Sequence, residues 1–207
     1  IGNLYVGQNE LEDGLNYLNR AVKMYEKDGN TAGAAYALSW IADMYNDKGD
    51  PKCKMSKVHC VEQNKQKALT TYLQVLELWK ADNNNSGAAK TCRSIASAKR
   101  DQGDLESAFD YASKALQLYE SMKTKDGIGS TSNLLANIVY DKGNVKLAKT
   151  YADKGMEMGN VLGNPNLIQS ASKILKKIYI KQNDYKGALA MEELSIKMRD
   201  SISNETT

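Results

Sequence analysis

Proline occurs twice, histidine once and cysteine three times in 207 residues, and each shortage closes off a class of protein. So few prolines, beside many Ala, Leu, Lys and Tyr and few Val or Thr runs, predict helix throughout and no sheet. Without strands there is no Gly-rich phosphate loop of the type that follows one. The single histidine, His59, stands far from any patterned Ser or Cys, so a catalytic triad is not expected. Glu192 and Glu193 are adjacent on a helix and point in different directions, which suits solvent better than acid–base work. An enzyme is therefore not expected, nor a cofactor or metal. No apolar run approaches the roughly 20 residues that cross a bilayer, so no direct membrane insertion of this segment is expected. The start shows no charged-then-apolar leader, although the opening at Ile1, without an initiator Met, leaves room for upstream sequence. Basic residues exceed acidic ones by only three, 28 against 25, and they are not concentrated, so no nucleic-acid partner is expected. Three cysteines leave the redox compartment open.

What the chain has is repetition. GDLESAFDYASKALQL from Gly103, GNVKLAKTYADKGMEM from Gly143 and NDYKGALAMEELSIKM from Asn183 are variants of one phrase. Ala68, Ala108, Ala148 and Ala188 recur every 40 residues, and Gly14 stands 54 before Ala68, so 14 residues are inserted in the first interval. A second register agrees: Ile41, Ile95, Leu135 and Leu175 follow the same spacing, and Ile1 stands 13 residues before Gly14. The chain is thus expected to open inside a helix. GD, GD, GN and ND at 49, 103, 143 and 183 mark short polar turns between apolar residues at helical spacing. First helices are predicted at 31–47, 86–101, 126–141 and 166–181. Second helices are predicted at 9–27, 65–81, 105–122, 145–159 and 185–202. Such pairs bury their stripes by stacking, as a right-handed superhelical solenoid of antiparallel helix pairs with a concave face. The expected organisation is one all-α array over 1–207, about four and a half repeats, with a truncated first helix and an insertion at about 51–66.

The insertion, PKCKMSKVHCVEQNKQ, is the stretch the period does not explain. Its four lysines outweigh Glu62, and it reads as a solvated loop or a partner contact. Cys53, Met55, His59 and Cys60 match no common zinc spacing. A Cys53–Cys60 disulfide is reachable if the loop doubles back; if the insertion is helical, seven residues span about 10 Å, too far for a bridge. Cys92, three residues before Ile95, reads as a buried thiol.

The pattern resembles the tetratricopeptide repeat family in its 40-residue form: a large apolar residue, a small one, an aromatic, and small residues in the second helix. Ile41, Ala42, Tyr45, Ala68 and Val75 carry it in one unit, and Leu175, Lys176, Tyr179, Ala188 and Ser195 in the last. Lys99, Val139 and Lys176 depart from it. The resemblance implies a protein or peptide ligand in a concave groove lined by first helices. By position the groove residues are Tyr36, Ser39, Asp43 and Asn46, then Lys90, Arg93, Ser97 and Arg100, then Ser130, Asn133, Asn137 and Tyr140, then Ser170, Lys173, Lys177 and Ile180. Lys90, Arg93, Arg100, Asn133, Asn137, Tyr140, Lys173 and Lys177 are the candidate ligand contacts. The two arginines would fork onto carboxylates of an acidic segment, and the two asparagines would hold its backbone. The Lys and Asn clamp of chaperone adaptors is not reproduced.

The ending NDYKGALAMEELSIKMRDSISNE, above all Arg199 to Glu205, is similar to the last repeat of bacterial sensor proteins. In those proteins such an array precedes a membrane helix and a kinase or DNA-binding output. That likeness implies a sensory, extracytoplasmic (periplasmic) module of signal transduction. The rival expectation is a structural scaffold acting through the array ends. There Leu189, Leu194, Ile196, Met198 and Ile202 lack a following repeat, and an end-to-end homo-oligomer would cover them. The small positions carry a stability prediction. Ala108→Leu and Ala148→Leu are each expected to cost about 1 to 3 kcal/mol by overpacking, and Lys57→Ala less than about 0.5, measured by chemical denaturation.

Overall fold

The computed structural model describes residues 11–47, 49 and 57–205. The described residues form nine α-helices: α1 (Leu11–Lys27), α2 (Thr31–Asp47), α3 (Lys57–Ala81), α4 (Asn85–Asp101), α5 (Leu105–Ser121), α6 (Lys125–Asp141), α7 (Val145–Leu162), α8 (Pro165–Lys181) and α9 (Tyr185–Glu205). No helix among them is long and apolar enough to cross a membrane. The first helices begin and end within a residue of the predicted bounds. Second helices α7 and α9 run about three residues further than predicted. The expected opening helix around Ile1 and the first residues of the insertion, 51–56, lie outside the described residues.

The turns explain the antiparallel pairing. Most consecutive helices are separated by three residues, of which the middle one has positive φ: +82° at Gly103, +87° at Gly143, and +52°, +54° and +60° at Asn83, Lys123 and Asn183. A residue in this left-handed region stops the helix and turns its carbonyl ladder aside. The third turn residue then starts the next helix as its N-cap. Asn84 accepts from the Gly87 N–H at 2.9 Å, Asp104 from Ser107 at 3.2 Å and Asp184 from Gly187 at 2.9 Å. Such caps satisfy donors the helix cannot satisfy itself. Asp104 also accepts from the Lys99 ammonium at 3.0 Å. That contact, before the cap bond, holds its carboxyl below the usual carboxylate range.

The insertion differs from expectation. Helix α3 starts at Lys57, eight residues before the predicted 65, so most of the extra sequence lengthens a helix rather than looping out. From Lys52 to Lys67 the chain holds no Gly or Pro, leaving nothing to break the helix. Cys60 lies in the first turn of α3 and is disulfide-bonded, while Cys53 lies outside the described residues.

Residue contacts group the chain into two compact units, Ile1–Ala98 and Lys99–Thr207. In the first, Leu15, Leu18 and Val22 of α1 pack on Ala37, Ile41 and Met44 of α2. In the second, Ala136 and Val139 of α6 and Ala148 and Ala152 of α7 receive Ile174, Leu175 and Ile178 of α8. The periodic alanines Ala68, Ala108 and Ala148 are fully buried, as are Ile95 and Leu135.

A further regularity ties one repeat to the next. The aromatic rings of Tyr25, Trp79 and Tyr119 lie against Gly33, Gly87 and Gly127, each eight residues on, where any methyl would strike the ring. In the next repeat the sizes are exchanged. Gly159 holds the aromatic place and Leu167 the glycine place, and a Gly159 methyl would sit 3.1 Å from Leu167 Cβ. Volume is conserved across the crossing while its donor changes helix.

Gly155 performs the same service for a polar group. Asn133, 3% exposed, donates its amide N–H to the Leu167 carbonyl at 3.0 Å, and its side-chain oxygen lies where a Gly155 methyl would be. Gly155→Ala is therefore expected to cost about 1 to 3 kcal/mol. Asn133→Ala should cost about 1 kcal/mol by removing a buried bond between α6 and α8, since the Leu167 carbonyl keeps its bond within its own helix. The double variant should lose less than the sum of the two, read from urea denaturation midpoints.

Candidate functional site

Exposed aromatic side chains stand beside titratable groups in the first unit. Along α2, Tyr36, Ser39, Trp40 and Asp43 recur at the three- and four-residue spacing that puts them on one face, while Ala37, Ile41 and Met44 hold the opposite face in the core. Tyr36 is 59% exposed and Trp40 43% exposed. With Tyr72 and Trp79 of α3 and Lys90, Thr91 and Ser94 of α4, these residues enclose a cavity of about 150 Å³. Its aromatic wall is fixed from behind. Trp79 is 2% exposed, lies over Gly87, and meets the edge of Tyr36 with ring centroids 4.8 Å apart at 79°. That edge-on geometry is a favoured one for aromatic pairs.

The polar base of the cavity is a carboxylate and a phenol. Tyr72 donates its hydroxyl to Asp43 Oδ1 at 2.5 Å. Burial pushes the Asp43 carboxyl above the usual carboxylate range; the Tyr72 hydrogen bond and the charges of Lys90 and Arg93 pull the other way without cancelling it. Burial first, then Asp43 itself, pushes the Tyr72 phenol far above its ordinary value. The hydroxyls nearby are already committed as donors: Ser39 to the Ala35 carbonyl at 2.8 Å and Thr91 to Gly87 at 2.9 Å. They offer lone pairs to a ligand, as Asp43 does, so the cavity wall is rich in acceptors, with Lys90 at its rim as donor.

The eight sequence-derived candidates fall in the two units. Lys90 is exposed and lines the cavity, and Arg93 is half-buried one turn further along α4. In the second unit the Arg100 Nε donates to Asp141 Oδ2 at 2.7 Å, so its charge already has a carboxylate. Asn133 is buried and bonded to Leu167, which turns a residue expected to hold a ligand backbone into one that holds α8 to α6. Asn137 donates to the Asn133 carbonyl one turn back at 2.9 Å. The Tyr140 hydroxyl reaches the Lys177 carbonyl at 3.5 Å, the limit of a hydrogen bond. Lys173 and Lys177 are exposed and line a separate cleft between α8 and α9. Trp40, Tyr72 and Trp79 were not among the candidates. The signal available was composition: both tryptophans of the chain border this one cavity.

These helix pairs, capped turns and small-residue crossings define an all-α, tetratricopeptide-like repeat fold. No family model and no curated protein sequence matches the chain. Solved structures do. The apo form of RapI superposes with a TM-score of 0.69 at 16% identity, over 99% of this chain and 82% of that one. A signal transduction ATPase with a tetratricopeptide repeat sensor, from Pyrococcus horikoshii, gives 0.68 at 15% identity over 95% of this chain and 32% of that one. The Rap conjugation gene regulator of plasmid pLS20, in complex with the Phr* peptide, gives 0.62 at 15% identity over 95% and 56%. At such identities the likeness is one of fold.

The Asp43 pair carries a pH signature. Because burial raises its folded pKa, Asp43 contributes stability below its ordinary pKa and loses that contribution as pH rises through the folded value. Asp43→Asn is therefore expected to lack the stability loss that the native chain shows across this window, in denaturation midpoints measured from pH 3 to 7. Tyr72→Phe, which removes a bond that favours the carboxylate, should move the Asp43 titration in carboxyl-carbon NMR further upward.

Proposed function

We propose that the chain is a noncatalytic protein- or peptide-binding module, the sensory or regulatory repeat array of a bacterial signal-transduction protein. The observation that carries this reading is the cavity of the first unit. Two exposed aromatic rings, Tyr36 and Trp40, stand beside half-buried Asp43 and its buried partner Tyr72. Leaving that much aromatic surface in water is unfavourable by about 25 cal/mol per Å², which a ligand side chain recovers on entry. The acceptor-rich wall suits a donor such as a peptide N–H, and exposed Lys90 at the rim suits a carboxylate on the same ligand. A cavity of about 150 Å³ takes one side chain, not a cofactor, so the rest of the ligand runs over the surface.

The similar Rap regulator seen in complex with a Phr* peptide and the similar repeat sensor of the ATPase support a binding role rather than chemistry. The contacts proposed for the second unit are Asn137, Tyr140, Lys173 and Lys177. Arg100 and Asn133 act there through Asp141 and Leu167. An extracytoplasmic location belongs to the same reading. The rival, a scaffold working through its ends by self-association, draws on the exposure of Leu189 (60%) and Ile196 (42%) on α9.

Both tryptophans border the cavity, so intrinsic fluorescence reports its occupation. A peptide array probed with the native chain, followed by fluorescence titration of the retained peptides, is expected to show binding that Trp40→Ala weakens at least about tenfold. Trp40 is partly exposed and its loss leaves the core intact. Peptides retained equally by both proteins, or no specific peptide beside concentration-dependent self-association, would move the reading to the scaffold.

A further inference from the structure

The groove that α6 and α7 present to α8 reappears, altered, between α8 and α9. The helices repeat at 40 residues, so each position has a counterpart. In the earlier groove Ala136 and Ala152 are fully buried beneath Ile174, Leu175 and Ile178 of α8. Gly159 lets Leu167 and Ile168 approach closely, and Asn133 bonds the Leu167 carbonyl. Forty residues on, those places are taken by Lys176, Glu192, Arg199 and Lys173, and Asn137 is replaced by Lys177. The result is a cleft of about 470 Å³ whose floor includes Ile196.

Two consequences follow from the exchange of small residues for long charged ones. A helix seated as α8 sits on α6 and α7 would meet side chains where it needs bare backbone and alanine methyls. Its N-terminal turn, which carries partial positive charge, would also face four cations. Against Lys173, Lys176, Lys177 and Arg199 the cleft holds one carboxylate, Glu192, bonded to Lys176 at 2.7 Å. The excess of three positive charges equals the formal net charge of the whole chain, +3. Lys173 and Lys177 have no ion-pair partner among the described residues and lie one turn apart on one face of α8. Arg199 is paired with its neighbour Asp200 at 3.0 Å, in an exposed contact of the kind that exchanges readily.

We infer that the α8–α9 cleft is a second binding site, which takes an acidic peptide segment with an aliphatic side chain over Ile196 and carboxylates on Lys173 and Lys177. This site rests on the peptide-binding reading, which already counts Lys173 and Lys177 among its contacts, and is tested apart from the aromatic cavity, whose loss through Trp40→Ala would leave it unchanged. Its walls favour a peptide over nucleic acid. The charge is confined to one cleft two helices wide, without aromatic rings on which bases could stack.

The test is a titration of the full chain with a synthetic peptide of five glutamates and one leucine, by calorimetry at two salt concentrations. The expected result is saturable binding that weakens with salt and falls at least about tenfold in Lys173→Glu, Lys177→Glu, since charge reversal turns two attractions into repulsions. Both lysines are exposed, so circular dichroism should be unchanged, and Lys146→Glu on the exposed face of α7 should bind as the native chain does. Absence of binding, equal binding by the reversed variant, or equal weakening by Lys146→Glu would overturn the proposal. So would tighter binding of a ten-nucleotide oligothymidylate than of the peptide.

Discussion

The structure depends on close approach between helices at positions that carry little or no side chain. Ala108, Ala112 and Ala115 of α5 and Ala148 and Ala152 of α7 are fully buried, which leaves no room for growth at those crossings. Where one repeat meets the next, Tyr119 covers Gly127 as Trp79 covers Gly87. A β-carbon at such a glycine would occupy the ring's own volume. The 40-residue period is the sequence-level record of this geometry: a repeated crossing demands the same small residue at the same interval. The inverted pair Gly159 and Leu167 shows that the demand is on summed volume, since either helix can supply the bulk.

Polar groups are placed by the same constraint. Asn133 is buried because Gly155 makes room for its side-chain oxygen, and its amide N–H finds an acceptor at the start of α8. Ion pairs span the repeats at the surface, Arg100 with Asp141, Lys142 with Glu106 and Lys154 with Glu120. Each is partly exposed, so these contacts add less to stability than the crossings do and act mainly on which charges remain open to a ligand.

The cavity and the cleft lie where a crossing is relaxed. In the first unit the α2 face beside the α3 aromatics leaves a cavity with Asp43 and Tyr72 at its base. In the second, the small residues that seat α8 give way forty positions later to lysine, glutamate and arginine, and a packing groove becomes a charged cleft. The same repeat positions are thus packed shut or left as an open charged cleft according to the length of the side chains that occupy them.

Helix number, pairing and bounds were legible in the sequence because each rests on local chemistry repeated several times: αL turn residues, Asn or Asp caps, and apolar spacing near 3.6. The buried alanines were legible through their period. The insertion was not, since a stretch lacking Gly and Pro extends a helix as readily as it forms a loop, and pattern reading had no repeat to compare it with. Candidate contacts were legible as positions and not as states. Register placed Asn133 and Arg100 beside Lys173 and Lys177, yet the first two are engaged by Leu167 and Asp141 and the last two face solvent. Register fixes which face of its own helix a residue occupies. What packs on that face comes from residues about forty positions away, and only the tertiary structure brings them together.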